Sequence, residues 1–435
     1  MIKNIIEPEM YYSDFWIKIS KESKEELLSK EKVEKYNEEG FKRGYLKDIF
    51  KEPEVLTKEY IIKAIEDMSK IPSVPLYNKG ALLKEDYFKE LWEALNLSSL
   101  KEQVKPRYGI ITERTEGKVF PTEDRAFKKP EEYSLDRFME TALYVGEPCI
   151  IYHESLDGQW YFCSTFNATC WIKRNHIALG EKEAIEGYAR AKEFIVVTGK
   201  KLHLGYNPLE KRISEVVIDM GVKLPIENHW DYDTAIYDMY PEGNYIVKVP
   251  LRAEDGSLVF TKALVPVNEE IHEGYLRCTR SNVLKQIFKF QGERYGWGGE
   301  FHGRDCSALI LDTLRTFGIL FPRNSGEQLN KSIGKSIVFS DENKEAKLNA
   351  IKNLKPGDLI FLKGHVVMVI GKWKGDTYII HDTIGMELDL KTEEGSKRRF
   401  IPINGVTISN LNKIYTSSGA DYIEAVIGIK QINIF

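Results

Sequence analysis

A cysteine acts as a nucleophile only when something takes its proton, and this chain sets one at a helix start with two histidines downstream. From Cys306 the apolar or small positions 306, 309, 310, 313, 314 and 317 recur at helical spacing. Asp305 offers an N-cap, Gly318 a C′ stop, and Pro322 bars continuation. Cys306 then lies in the first turn, where unpaired N–H groups and the helix dipole favour thiolate over thiol. Two β-rich runs, Gly364 to Gly371 and Thr377 to Asp382, flank a Lys374-Gly375-Asp376 turn and read as a hairpin. Folding it about residues 373–374 brings His365 and His381 to nearly opposite positions. A buried cysteine is by itself an ordinary core residue. A helix-start cysteine with two facing histidines is instead the nucleophile, base and orienter of thiol hydrolysis. Asp382 is a rival orienter, but strand alternation turns it away from the face of His381. Zinc binding by the same three residues lacks any paired spacing such as C-x-x-C or H-x-x-x-H, so neither metal nor cofactor is expected.

Five short motifs fall in order: Tyr-x-Trp-Gly-Gly at 295–299, Asp-Cys-Ser at 305–307, Pro-Arg-x-Ser-x-x-Gln from Pro322 to Gln328, Pro-Gly-Asp at 356–358 and Gly-His-Val at 364–366. Together, over roughly 276–401, they resemble the NlpC family of bacterial cell-wall cysteine peptidases. Ala308 stands where that family usually has glycine; it is small and helix-favouring, so the site should tolerate it. The resemblance implies that Cys306 attacks, His365 is the base and His381 fixes its tautomer. It also implies an oxyanion donor in the Tyr295 hydroxyl, beside the Cys306 backbone N–H. Read without it, Tyr295 and Trp297 could equally be core residues beside a glycine turn. Gly298 and Gly299 would let a substrate approach the backbone, as they would in any tight loop.

Relatives with SH3-like domains cut the γ-D-glutamyl bond to a diamino acid in peptidoglycan stem peptides, several preferring a free N-terminal L-alanine. By that resemblance Trp297, Asp305, Ser307 and Ser325 line the substrate pocket, with Asp305 both helix cap and amine anchor. The expected activity is therefore a γ-D-glutamyl-diamino acid endopeptidase that releases L-Ala-γ-D-Glu. The alternatives are a thiol N-acetylmuramoyl-L-alanine amidase of the same fold and a non-catalytic peptidoglycan-binding protein. The last would be expected to have lost one of Cys306, His365 or His381.

The elements that must position these residues imply a multidomain chain. At 435 residues it exceeds one core, and 42% hydrophobic with 29% charged residues is ordinary globular composition. Residues 1–103 read as an N-terminal helical stabilising domain: Leu27, Leu28, Val33 and Tyr36 give one loose face, and Leu83, Tyr87, Leu91 and Leu95 another. Tyr11 to Trp16 resembles the opening of such a domain in relatives of the peptidase. Residues 104–185 show short strands and an Asp157-Gly158 hairpin turn, and Gly146-Glu147-Pro148 with Trp160 and Trp171 resembles a bacterial SH3-like barrel. Residues 186–275 look like a second such barrel, and 276–435 like a papain-like α+β peptidase domain.

A net charge of −4 gives no reason to expect nucleic-acid binding. Five scattered cysteines suit a reducing compartment. The start, Met1 to Pro8, lacks a signal peptide's apolar region, and no run reaches transmembrane length. The expectation is a cytoplasmic protein, exported only if a signal was trimmed. Its partners would be stem peptides rather than membrane, with a monomer favoured.

Overall fold

The structure, a computed structural model, describes residues 6–229, 234–332, 334–340, 344–392 and 395–432. It divides into two compact units. One comprises Met1–Leu46, Leu276–Gly296 and Phe301–Phe435; the other comprises Lys47–Tyr275 and Trp297–Glu300. The expected boundary at 103 is not where the units part.

Pairing at long sequence separation explains the division. Leu27 and Leu28 do not sit on a helix face; they belong to a short strand, Glu26–Leu28, that pairs antiparallel with Cys278–Thr279. Ser29 then caps the helix Lys30–Lys42, its hydroxyl accepting from the Lys32 N–H at 3.4 Å. The buried Arg280 donates to Glu25 at 3.0 Å, to the Pro356 carbonyl at 2.5 Å and to Asp358 at 3.3 Å. The Pro-Gly-Asp turn is thus held to the N-terminal segment through Arg280.

The peptidase unit is built on an antiparallel sheet. Its strands run in the order Lys335–Val338, Val426–Gln431, Leu359–Leu362, His365–Trp373, Asp376–Thr392 and Gly395–Asn410, with Ile414–Tyr415 added to Asp376–Thr392. Ile360, Leu362, Val367, Val369 and Ile379 share a core with Leu411, Ile414, Tyr422 and Ile423. The alternate residues, Met368, Ile370 and Ile380, are buried too. The helix Cys306–Arg315 packs against the same two histidine-bearing strands. With both faces covered, these strands read as unbroken apolar runs.

The second unit holds an open seven-stranded antiparallel sheet. The order is Ile177–Gly180, Arg107–Ile111, Pro148–Glu154, Trp160–Ser164, Thr169–Lys173, Thr115–Lys118 and Met139–Leu143. Its two end strands do not pair, so the first expected barrel is an unclosed sheet. Phe120, Phe138, Trp160, Phe162 and Trp171 share one core with Ile61 and Ile65 of the helix Lys58–Met68 and Leu91 of the helix Glu85–Ala94. That shared burial is why residues from Lys47 on fold with the sheet.

Among its described residues the stretch expected as a second barrel is likewise not closed. It is a set of small sheets, among them Phe194–Val197 between Lys223–Pro225 and Ile271–Glu273, and the hairpin Asn244–Arg252 with Leu258–Pro266. Ile195, Val197, Leu224, Val247, Val249 and Val265 form their common core. Among the described residues no helix is long and apolar enough to cross a membrane.

Candidate active site

Cys306 opens its helix as the sequence requires. Asp305 is the N-cap, extended at φ −100° and ψ −180°, and its carboxylate accepts from the Ala308 N–H at 2.9 Å. At the far end Gly318, at φ +77°, closes a Schellman turn: its N–H bonds Arg315 at 3.0 Å, and the Ile319 N–H bonds Leu314 at 3.2 Å. The helix is not amphipathic in its setting, because Cys306 to Leu314 are all buried. Its polar residues Ser307 and Asp312 meet Arg323 and Arg304.

The histidines come together, but not in the expected register. Pairs run from Trp373↔Asp376 through Gly371↔Tyr378, then shift at a bulge to Val369↔Ile379 and Met368↔Ile380. One further step sets Val367, not His365, opposite His381, and His365 reaches across the diagonal. The two imidazoles still bond, His365 Nε2 to His381 Nδ1 at 3.1 Å, with ring centroids 5.4 Å apart.

Two residues unnoticed in the sequence complete the relay. Ser409 Oγ lies 3.0 Å from His381 Nε2, and the Tyr422 hydroxyl lies 3.4 Å from His381 Nδ1. A neutral His365 that is to take a proton on Nδ1 carries its own on Nε2, which makes His381 Nδ1 the acceptor of the 3.1 Å bond. His381 then donates from its own Nε2 to Ser409. Only register could have revealed Ser409, which pairs with Ile379 two residues before His381.

Burial sets the charge states. Cys306 is 6% exposed, and burial pushes its thiol up to about 12, with Asp305 and Asp382 acting the same way; the Val366 N–H and Arg323 act against them. Burial likewise lowers His365 to about 4 and His381 well below its ordinary value. The resting pair is a neutral thiol and a neutral imidazole, not the thiolate expected from the helix N-terminus. Asp382 is fully buried, and burial, with Asp305 acting the same way, raises its carboxyl well above the usual carboxylate range.

The expected pocket residues divide. Asp305 is gripped by Arg323, whose two Nη atoms donate to its two oxygens at 3.1 and 2.7 Å. Ser307 Oγ donates to Asp305 at 2.9 Å and accepts from Arg323 at 2.9 Å. Both side chains are therefore engaged within the protein, and the Arg323 charge stands where a substrate ammonium was expected. Gln328 Nε2 ties Ser307 and Pro322 through their carbonyls, at 3.0 and 2.9 Å. Arg323 and Gln328 lay in a quoted motif, yet their spacing carried no chemistry of its own. Ser325 is half-buried at the start of the helix Ser325–Asn330.

Tyr295 is buried beside these residues, with its phenol held neutral by burial. Trp297, Gly298 and Gly299 belong to the other compact unit. There a Cβ on Gly298 would come within 2.6 Å of Met139, and one on Gly299 within 2.4 Å of Ala142. The Gly-Gly pair thus serves close packing on the strand Met139–Leu143, as a tight loop requires.

Comparison with known proteins gives two family matches. Residues 292–413 match the NlpC/P60 family, a family of cysteine peptidases, and residues 125–173 match an SH3 domain of the SH3b1 type. Among solved structures, an NlpC/P60 endopeptidase from Photobacterium damselae subsp. piscicida is 17% identical, with a TM-score of 0.76 over 97% of each chain. An NlpC/P60 family protein from Bacillus cereus ATCC 10987 is 19% identical, covering 68% of this chain and 82% of that one at a TM-score of 0.44. Curated proteins give no match.

Proposed function

We infer, for a chain that carries an NlpC/P60 domain and an SH3b-type domain, that it hydrolyses the γ-D-glutamyl–diamino acid bond of peptidoglycan stem peptides. The products are L-Ala-γ-D-Glu and the remainder of a peptide whose N-terminus was free. The observation that carries this reading is the bonded chain His365, His381 and Ser409, on strands against which the Cys306 helix packs; the His365–His381 bond leaves one imidazole nitrogen for the thiol proton.

In the reaction Cys306 Sγ attacks the scissile carbonyl carbon while its proton passes to His365 Nδ1. The oxyanion is met by the Cys306 backbone N–H, unpaired in a first helical turn, and by the Tyr295 hydroxyl. The C–N bond then breaks, and His365 returns the proton to the leaving amine of the diamino acid. A water deprotonated by the same nitrogen cleaves the thioester and frees the dipeptide and the thiol. His365 begins uncharged, as a general base must.

The resemblance supplies the bond and the preference for a free N-terminus, and Ser325 remains a proposed substrate-binding residue, whereas Ser307 is already engaged by Asp305 and Arg323. Asp305 contributes less to amine binding than its position suggested, because Arg323 already neutralises it. Free peptides rather than intact wall are then the substrate, as in murein recycling. The test compares L-Ala-γ-D-Glu-diaminopimelate with its N-acetylated form and with intact sacculi, reading products by mass. Cleavage of the free peptide at least tenfold faster supports the proposal. Equal rates on free and acetylated peptide would contradict it.

A further inference from the structure

The segment Trp297–Glu300 ends in a carboxyl group that the reaction does not use. Glu300 is fully buried in the unit that contains the strand Met139–Leu143. Lys118 and Asp136, also buried, pair at 2.8 Å beside it. The Asp136 N–H reaches Glu300 Oε2 at 3.5 Å, while Oε1 accepts no hydrogen bond, with Arg125 stopping 3.4 Å away. Glu116 lies 3.2 Å from Lys118 and 3.8 Å from Arg125. Both nearby cations are therefore shared with another carboxylate, and Glu300 has none to itself. At the other end of the segment the Arg137 guanidinium lies 5.3 Å from the centre of the Trp297 ring. Between them Arg114 donates to the Gly299 carbonyl at 3.0 Å, and the two glycines press on the strand.

We propose that Glu300 anchors this segment as its uncharged acid, so that one proton sets the placement of Trp297. A buried carboxylate without a partner of its own is costly, and the cost falls on the segment that carries it. The groups facing it are Asp136, Lys118 and Arg125, with Glu116 and Arg137 one step out; its own segment brings no other titratable group. Burial first, then Asp136, raises its carboxyl to about 7. A raised acid is protonated in the anchored state where an exposed glutamate is already ionised. The anchor is therefore complete in acid and is lost as pH rises through about 7.

The full chain, labelled with 5-fluorotryptophan, gives a 19F resonance for each of its seven tryptophans, and Trp297→Phe identifies the one in question. We expect that resonance to shift between about pH 5.5 and 8.5 with a midpoint near 7, and Glu300→Gln to abolish the transition. Arg125→Met, at a half-exposed position, removes a cation and should move the midpoint upward, which keeps the test open if the glutamine variant does not fold. A Trp297 resonance that does not move, or one that moves identically in Glu300→Gln, would overturn the proposal. A resonance that moves as expected in a protein inert towards the peptide would uphold it and overturn the functional reading alone.

Discussion

At Cys306 two influences oppose each other, and their sizes decide the outcome. A helix N-terminus stabilises a thiolate by at most about 2 kcal/mol. Burial raising the thiol from 9.0 to about 12 corresponds to roughly 4 kcal/mol the other way. Alkylation by iodoacetamide should therefore quicken about tenfold per pH unit from 7 to 9. A plateau with a midpoint below pH 7 would show a preformed thiolate instead. His365, lowered to about 4, is ready as a base throughout that range. Its folded value lies below the unfolded one, so its contribution to stability is complete above about pH 6.5 and is lost as pH falls towards 4. Arg323 is the other decisive residue. Replacing it with methionine strands the buried Asp305 carboxylate, and we expect a loss of about 3–5 kcal/mol in urea unfolding. A loss under 1 kcal/mol would mean that Asp305 finds another partner. Cys306, His365 and His381 were legible because their chemistry is rare and their order specific. Arg323, Ser409 and Tyr422 were not, because they act through pairings between residues distant in sequence.

At the scale of elements, the nucleophile helix could be read to its last turn, since cap, apolar spacing and Gly318 are local signals. The histidine hairpin was placed correctly and its register was not. The bulge between Val369 and Gly371 follows from no local rule; it coincides with the place where Trp16 lies against the strand. A Cβ on Gly371 would sit 2.7 Å from Trp16 Cε3, and the same indole packs 5.0 Å from Tyr378 and donates to the Met10 carbonyl at 2.8 Å. Gly371→Ala should therefore cost about 1–3 kcal/mol of stability by overpacking. An unchanged denaturation midpoint would show that Trp16 moves aside freely. The strands of the SH3-like region were read from alternation and turns, whereas closure depends on pairing of the first and last strands, which alternation does not encode.

At the scale of the whole molecule, the chain's order is not the order of its compact units. The peptidase unit takes in Met1–Leu46, and its links to that segment run from Glu26–Leu28 to Cys278–Thr279 and from Glu25 to Arg280, over 250 residues of sequence. Composition and periodicity describe neighbours, so they placed those residues with the helices that follow them. A fragment of residues 276–435 should accordingly melt without cooperativity, and joining residues 1–46 to it through a flexible linker should restore a cooperative transition. Equal melting of both fragments would deny the N-terminal segment this part. The central claim, that the Cys306 relay cuts a stem peptide after γ-D-glutamate, is tested most directly by the masses of the products from L-Ala-γ-D-Glu-diaminopimelate. The wild type should yield L-Ala-γ-D-Glu and free diaminopimelate, and Cys306→Ala neither. An uncut tripeptide, a cut at the L-Ala–D-Glu bond, or the same products from the alanine variant would contradict it.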